Sequence, residues 1–220
     1  LSATEVAQIQ EKTGHAPLVL SVCEDVVAVV VHPDNPVASL TKAQLKKVLT
    51  EKELTWKDLG VTGEKGSLAV TLHLRESSSG TREYILNTLL GEQKLAIAGQ
   101  EHRDNSTMLE ALNRDPGGIG FITWAATGHQ IKIVPLAEKE DDTPLLPEAA
   151  LEQAGYPLVR PLYLVALRKA GGGLSRQTQE FLHYVFSTEG QGDIVKDGYL
   201  PLRLSELWRQ FRQLDTERSR

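Results

Sequence analysis

Cysteine and methionine occur once each in this 220-residue chain, and aromatic residues make up only 5% of it. The lone cysteine, Cys23, excludes an internal disulfide and a cysteine-built zinc site. The six histidines are scattered without metal-ligand spacing, so neither a metal nor a cofactor is expected. No apolar run approaches the roughly 20 residues that cross a bilayer. An excess of positive charge is also missing. The formal balance is −5, which argues against a nucleic-acid partner. An anionic ligand stays compatible with that balance, because oriented amides and one or two cations supply the local field it needs. The chain starts at Leu1 rather than Met and shows no basic start, apolar core or small-residue cleavage site. A processed, truncated or partial product is therefore expected.

What is present is an ordinary globular balance, 40% hydrophobic and 24% charged, in a length that suits one large domain or two small lobes. Residues 26–32, VVAVVVH, form a continuous β-branched run of the kind a buried parallel strand uses. Pro33 and Pro36 end it. A helix is expected after Leu40, with Thr41 and Gln44 as its capping box and Leu45, Val48 and Leu49 as its apolar face. Residues 67–75, SLAVTLHLR, alternate as a strand does. The helix behind them should stop at Gly91. Another short helix spans STMLEALNRDPGG, with a capping box from Thr107 to Glu110. Strands are expected in IGFITWA, IKIVPL and PLYLVALR, followed by a helix with Phe181, Leu182, Val185 and Phe186 on one face. Two seams, residues 137–144 and 169–175, read as solvated or glycine-rich loops. Strands alternating with short helices imply an α/β fold with a largely parallel sheet.

The stretch RESSSGTREYIL carries the chemistry. Arg75 falls at the carboxyl end of a strand, where open α/β sheets bind ligands. The following helix begins near Ser79, Gly80 and Thr81, and its first-turn N–H groups lack intrahelical partners. The helix dipole adds about half a positive charge there. Gly80 lets a ligand approach the backbone, Ser79 and Thr81 bring hydroxyls, and Arg75 offers a planar fork of donors. Such a set suits a tetrahedral oxyanion. A turn and a helix cap would use the same residues. A nucleophilic serine is not supported, because the stretch lacks the Gly-x-Ser-x-Gly elbow and no base lies near. No catalytic residue and no enzyme activity are expected.

Several stretches, in order, resemble the phosphate-binding proteins of bacterial ABC transporters. EDVVAVVVHPDNPVASLTKAQLKKVLT resembles their crossover strand, Asn-Pro turn and capped helix. ELTWKDLG resembles their tryptophan-bearing loop, RESSSGTREYIL their Arg-x-x-x-Ser-Gly-Thr phosphate loop, and RDPGGIGFITWA their Pro-Gly-x-Ile-Gly strand. YPLVRPLYLVALRK resembles the second crossover. FLHYVFSTEGQGDIVKDGYLPL resembles the C-terminal helix with its Ser-x-Glu-Gly-Gln turn and Gly-Tyr-x-Pro-Leu close. The resemblance covers nearly everything from Leu1 to Leu204.

It implies a two-lobed α/β fold of the type II periplasmic-binding-protein kind. Two crossover strands would form its hinge, near 26–31 and 162–165. Residues 1–26 would be a remnant of lobe I, 27–159 lobe II, 160–204 the return to lobe I, and 205–220 a helical tail. Arg75, Ser79, Gly80 and Thr81 match the family's phosphate contacts. Ser77, Ser78 and Glu76 are supporting candidates: Ser77 and Ser78 stand where the family often has an acidic residue or a glycine, so the acidic support for Arg75 is either lost or supplied by Glu76. The implied function is non-covalent binding of inorganic phosphate for delivery to a membrane ABC permease, in the periplasm or outside the cell. A receptor for molybdate, tungstate or sulfate, or a sensor or interaction module on the same scaffold, is the alternative. The family's other phosphate loops, including a carboxylate for the phosphate proton, are not found in the 220 residues. The resemblance therefore implies a fragment, or another chain that supplies the rest of lobe I.

Outside the phosphate loop, Leu204, Leu207, Trp208 and Phe211 form a helical apolar stripe that is expected to pack on its own lobe. Cys23 reads as a small buried hydrophobe, Trp56 and Trp124 as packing residues, and His32 and His73 as strand residues rather than ligands.

Overall fold

The computed structural model describes residues 3–128, 130–152, 155–168 and 173–218. The elements in chain order are α1 (Ala3–Thr13), β1 (Leu18–Val31), β2 (Leu40–Thr41), α2 (Lys42–Thr50), β3 (Thr71–Arg75), α3 (Gly80–Leu90), β4 (Gln100–His102) and α4 (Asn105–Leu112). They continue with β5 (Gly118–Thr123), β6 (Lys132–Ile133), β7 (Leu136–Ala137), α5 (Ala149–Glu152), β8 (Val159–Ala166), α6 (Arg176–Val185), α7 (Thr188–Lys196) and α8 (Leu204–Arg218). The chain divides into two compact units: unit 1 holds Leu1–Asp25 and Pro161–Arg220, and unit 2 holds Val26–Arg160. The strands β1 and β8 pair with each other, and both run from one unit into the other.

Unit 2 is built on a sheet of order β4-β3-β5-β1-β6. The parallel half matches the reading of alternating strands and helices: β3 pairs parallel with both β4 and β5. The other half does not. The run 26–31 lies antiparallel to β5, with Val27 opposite Thr123 and Val31 opposite Ile119, and antiparallel to β6. A fully buried apolar run has the same composition in either direction, so pattern alone could not tell them apart. Every residue from Val26 to Val31 is buried, as expected of a strand covered on both faces. One covering layer holds Met108 and Leu112 of α4, packed with Ala28, Val30 and Ile122.

The helix starts follow local chemistry. Thr41 caps α2, and both halves of its capping box with Gln44 are formed. Leu40, just before the cap, and Leu45 are both buried, as a hydrophobic staple requires. α3 ends at Gly91, whose φ of 59° suits a glycine. The start of α4 differs from expectation. Asp104 is its cap and makes the reciprocal box with Thr107, so the box lies three residues upstream of the Thr107–Glu110 pair. The strand expected over 67–75 is shorter, because residues 64–67 form a 3-10 turn and β3 starts at Thr71. Trp56 is fully buried, and its indole N–H donates to the Gly117 carbonyl at 3.0 Å. A Cβ on Gly117 would lie 2.3 Å from the Ala69 carbonyl oxygen, so only glycine fits there.

Unit 1 packs Leu18 and Leu20 of β1, Ala166 of β8, Leu182 and Phe186, Leu202, and Leu214 of α8 into one cluster. Gln191 of α7 ties three segments together from inside. Its amide donates to the carbonyls of Val22 (3.2 Å) and Val185 (2.9 Å), and its oxygen accepts from the Leu202 N–H (2.8 Å). Cys23 is buried here, as its composition suggested. Phe181 is not on the buried face: Leu182 and Phe186 fill the cluster, while Phe181 is 55% exposed. On α8, Leu207 and Phe211 pack against the cluster, but Leu204 and Trp208 stay exposed and Gln210 and Leu214 take the inner positions. The buried face is thus rotated from the stripe seen in sequence. Of the glycine-rich loop 169–175, residues 169–172 lie outside the described residues.

Candidate functional site

The site region lies in unit 2, where β3 ends and α3 begins. Arg75 is the last residue of β3. A tight turn follows, closed by the Ser79 N–H donating to the Glu76 carbonyl at 3.0 Å. Ser79 caps α3, with its hydroxyl accepting from the Arg82 N–H at 3.5 Å. Gly80 and Thr81 then form the first turn of the helix, whose N–H groups face away from the helix body. A Cβ on Gly80 would meet only an Arg160 nitrogen at 3.7 Å, so the backbone here is open to close approach.

Arg75 is oriented by neutral acceptors. One terminal nitrogen donates to Asn105 Oδ1 at 2.8 Å, the other to the Arg103 carbonyl at 2.9 Å. Its Nε is buried and has no hydrogen-bond partner among the described residues. A buried donor without a partner costs about 1–3 kcal/mol, more when charged, unless something accepts from it. Asp104 lies close enough to feel the charges of Arg103 and Arg75. Its carboxyl is held below the usual range mainly by hydrogen bonds from Thr107, with those two cations adding to the effect.

The three supporting candidates are exposed. Ser78 donates to Glu76 Oε1 at 2.9 Å, so Glu76 is engaged within its own turn and Arg75 is oriented by α4 instead. The side chain of Arg75 makes no hydrogen bond to Ser79 or Thr81 among the described residues; the turn joins them through the chain.

Arg160 went unnoticed in sequence. It stands 79 residues from Thr81, and its Nη2 donates to the Thr81 hydroxyl at 3.1 Å. Its guanidinium also lies over the Tyr84 ring, 5.6 Å from the centroid. Thr81 is buried, and with its oxygen occupied as acceptor its proton is free to be donated. Arg160 thus brings a second guanidinium to the start of α3, in a chain whose net charge is negative, while Glu76 stands in the turn before the helix and Glu83 in its first turn. Arg82 also sits here, donating to the Arg75 carbonyl at 3.0 Å and to Glu101 at 2.5 Å. No sequence signal marks Arg160; only the fold brings it to α3. Among the described residues, no cluster of side chains could hold a metal ion.

An α/β fold in which a strand end feeds a helix N-terminus, with arginine, hydroxyl and backbone donors gathered there, offers a seat for an anionic ligand. A family model described as a PBP superfamily domain matches residues 1–189, and the chain belongs to that superfamily. Among sequence relatives, the phosphate-binding protein PstS of Pseudomonas aeruginosa is 30% identical over 211 residues, covering 90% of this chain and 64% of that protein. The protein of the same name from Bacillus subtilis is 30% identical over 179 residues, covering 80% of this chain and 55% of its own length. The chain therefore spans a little under two thirds of these relatives, or less. Among solved structures, an ABC-type phosphate transport receptor from Vibrio cholerae superposes with a TM-score of 0.71 at 23% identity, over 92% of this chain and 77% of that one. A phosphate-binding protein from Stenotrophomonas maltophilia gives 0.71 at 14% identity, over 95% and 76%. These likenesses establish the two-lobed fold.

Proposed function

We propose that the chain binds inorganic phosphate non-covalently through Arg75, Ser79, Gly80 and Thr81, as part of a receptor that delivers it to a membrane ABC permease in the periplasm or outside the cell. The observation that carries this is the buried, unpartnered Nε of Arg75 at the strand end that feeds α3. Phosphate oxygens would accept from it, from the first-turn N–H groups of α3, and from the hydroxyls of Ser79 and Thr81. The names of the curated relatives support phosphate as the ligand. They are binding proteins by name, which accords with capture rather than catalysis. Among the described residues no helix is long and apolar enough to cross a membrane, so a permease would be a separate partner in this reading. No finding supports a second polypeptide supplying the remainder of lobe I.

Calorimetry of the chain with phosphate, arsenate, sulfate and molybdate tests the reading. Phosphate and arsenate should bind and compete. A preference for molybdate or sulfate, or no heat with any of the four, would overturn it.

A further inference from the structure

Three side chains beside Arg75 form a hydrogen-bonded chain that the phosphate site does not use. Alternate residues of a strand share a face, so His73 and Arg75 lie on the same side of β3. His102 of β4 is the register partner of Arg75. His73 is 1% exposed. Its Nδ1 lies 2.9 Å from Nε2 of His102, and its Nε2 lies 3.0 Å from Asp115 Oδ2. A Cβ on Gly118 would stand 3.1 Å from Nε2 of His73, so the ring is wedged between β5 and the turn after α4. Asp115 follows the C-terminus of α4, while Asn105 and the Arg103 carbonyl, which hold Arg75, stand at its N-terminus. Helix α4 is thus tied to β3 at both ends, by His73 at one and Arg75 at the other.

Proton counting shows what the chain can tolerate. With both rings neutral, His73 donates to Asp115 and His102 donates to the bare Nδ1 of His73. One added proton keeps both bonds, since either ring can carry it and still face its neighbour correctly. Two added protons set N–H against N–H, and the bond between the rings is lost. The charged groups around the pair are Asp115 on His73, Asp104 and Arg103 beside His102, Arg75 across the strands, and Glu76, whose N–H donates to the His102 carbonyl at 2.9 Å. Glu101 pairs with Arg82, Glu110 and Arg114 are exposed, and β5 contributes no charge. Burial, and the charge of His73 after it, already hold His102 below its usual range.

We infer that Asp115, His73 and His102 form a proton-operated brace for Arg75. Up to one extra proton, it holds β4 and α4 where Asn105 and the Arg103 carbonyl seat the guanidinium; the second proton releases them. All three are positioning residues. Only the binding readout of this inference rests on the phosphate reading.

Two measurements on the full chain test it, each compared with His102→Gln, which keeps a donor toward His73 but cannot take a proton. The first is phosphate affinity from about pH 8 down to about pH 5, the range in which histidines titrate. Ligand ionisation is common to both proteins and cancels in their ratio. The unchanged chain should lose about tenfold in affinity relative to the variant as pH falls through a window below 6.5, the ordinary histidine value. The second is the NMR signal of the Arg75 Nε–H in the free protein. It should move with the His102 titration and stay still in the variant. If His102→Gln fails to fold, Asp115→Asn serves: losing the carboxylate should shift both transitions to lower pH. Parallel affinity profiles, or an Arg75 signal that stays still through the His102 titration, would overturn the brace. A chain that binds no phosphate at any pH, yet whose Arg75 signal tracks His102, would sink the phosphate reading and uphold the brace.

Discussion

Unit 2 is one continuous stretch of chain, whereas unit 1 is assembled from two segments far apart in sequence. The difference shows in their surfaces. Unit 2 encloses its sheet between helices, and its polar groups converge on the start of α3. Unit 1 has a sound inner cluster around Phe186 but leaves Tyr163 and Leu167 of the β8 region, Phe181 of α6, and Leu204 and Trp208 of α8 exposed. Along β8 the alternation is plain: Leu164 packs against the cluster while Tyr163 and Val165 face outward. The donors described above are in unit 2, and most of the exposed large apolar side chains are in unit 1, with Leu146 and Leu151 the exceptions in unit 2. Binding should therefore respond to unit 2 residues, and stability to the inner residues of both.

The largest effect that could break this division is in the unit 1 core. Phe186→Ala should destabilise the protein by about 3–5 kcal/mol in denaturant unfolding, the cost of emptying a fully buried aromatic position. Cys23 reports on the same unit. Burial, with Asp25 and Glu24 adding to it, pushes its thiol up to about 11. The thiol is therefore protonated and shielded near neutral pH, and labelling should be slow in the folded chain and fast in the Phe186→Ala protein.

Next comes Arg75→Ala, which should weaken phosphate binding by about 2–3 kcal/mol, since a charged donor is lost from the anion. Its melting temperature should change little. Ser79→Ala should cost about 1–2 kcal/mol of binding, a single hydrogen bond to a charged group, together with a smaller loss of stability from the missing cap.

A pH dependence of stability should follow from His102. Its pKa is lowered in the folded protein, so folding favours the neutral ring. The unfolded chain then binds more protons, and stability is full above the ordinary value of 6.5 and declines as pH falls through the lowered one. Thermal melts across that range should show the decline in the unchanged chain and a flatter course in His102→Gln. The smallest effect is expected from Trp208→Ser. An exposed side chain away from the inner cluster should change stability by less than about 0.5 kcal/mol and leave phosphate binding untouched.

What could be read from the sequence was local. The cap at Thr41, the stop at Gly91 and the start of α3 at Ser79 each depend on residues within a few positions, and each is written in side-chain chemistry. The elements that escaped depend on distant partners. Thr107 is a helix-start residue in either reading, but only the structure shows Asp104 as the cap. The run 26–31 is equally apolar in a parallel or antiparallel sheet. Phe181 and Trp208 sit on plausible helical stripes, and which side faces inward is decided by neighbours elsewhere in the chain. At the candidate site, Arg75 and the Ser79–Thr81 turn were visible because strand end and helix start adjoin in sequence. Arg160, Asn105 and the His73–Asp115 contact were not, because each joins residues about 30 to 80 positions apart.

Phosphate titrated into the isotope-labelled chain, with backbone amide and arginine Nε–H signals followed by NMR, tests the central claim most directly. The account predicts that the largest shifts fall on the amides of Ser79, Gly80 and Thr81 and on the Arg75 Nε–H, with the α6 and α8 signals of unit 1 nearly still. Shifts centred on unit 1, or a saturating response that leaves Arg75 and the start of α3 unmoved, would contradict it.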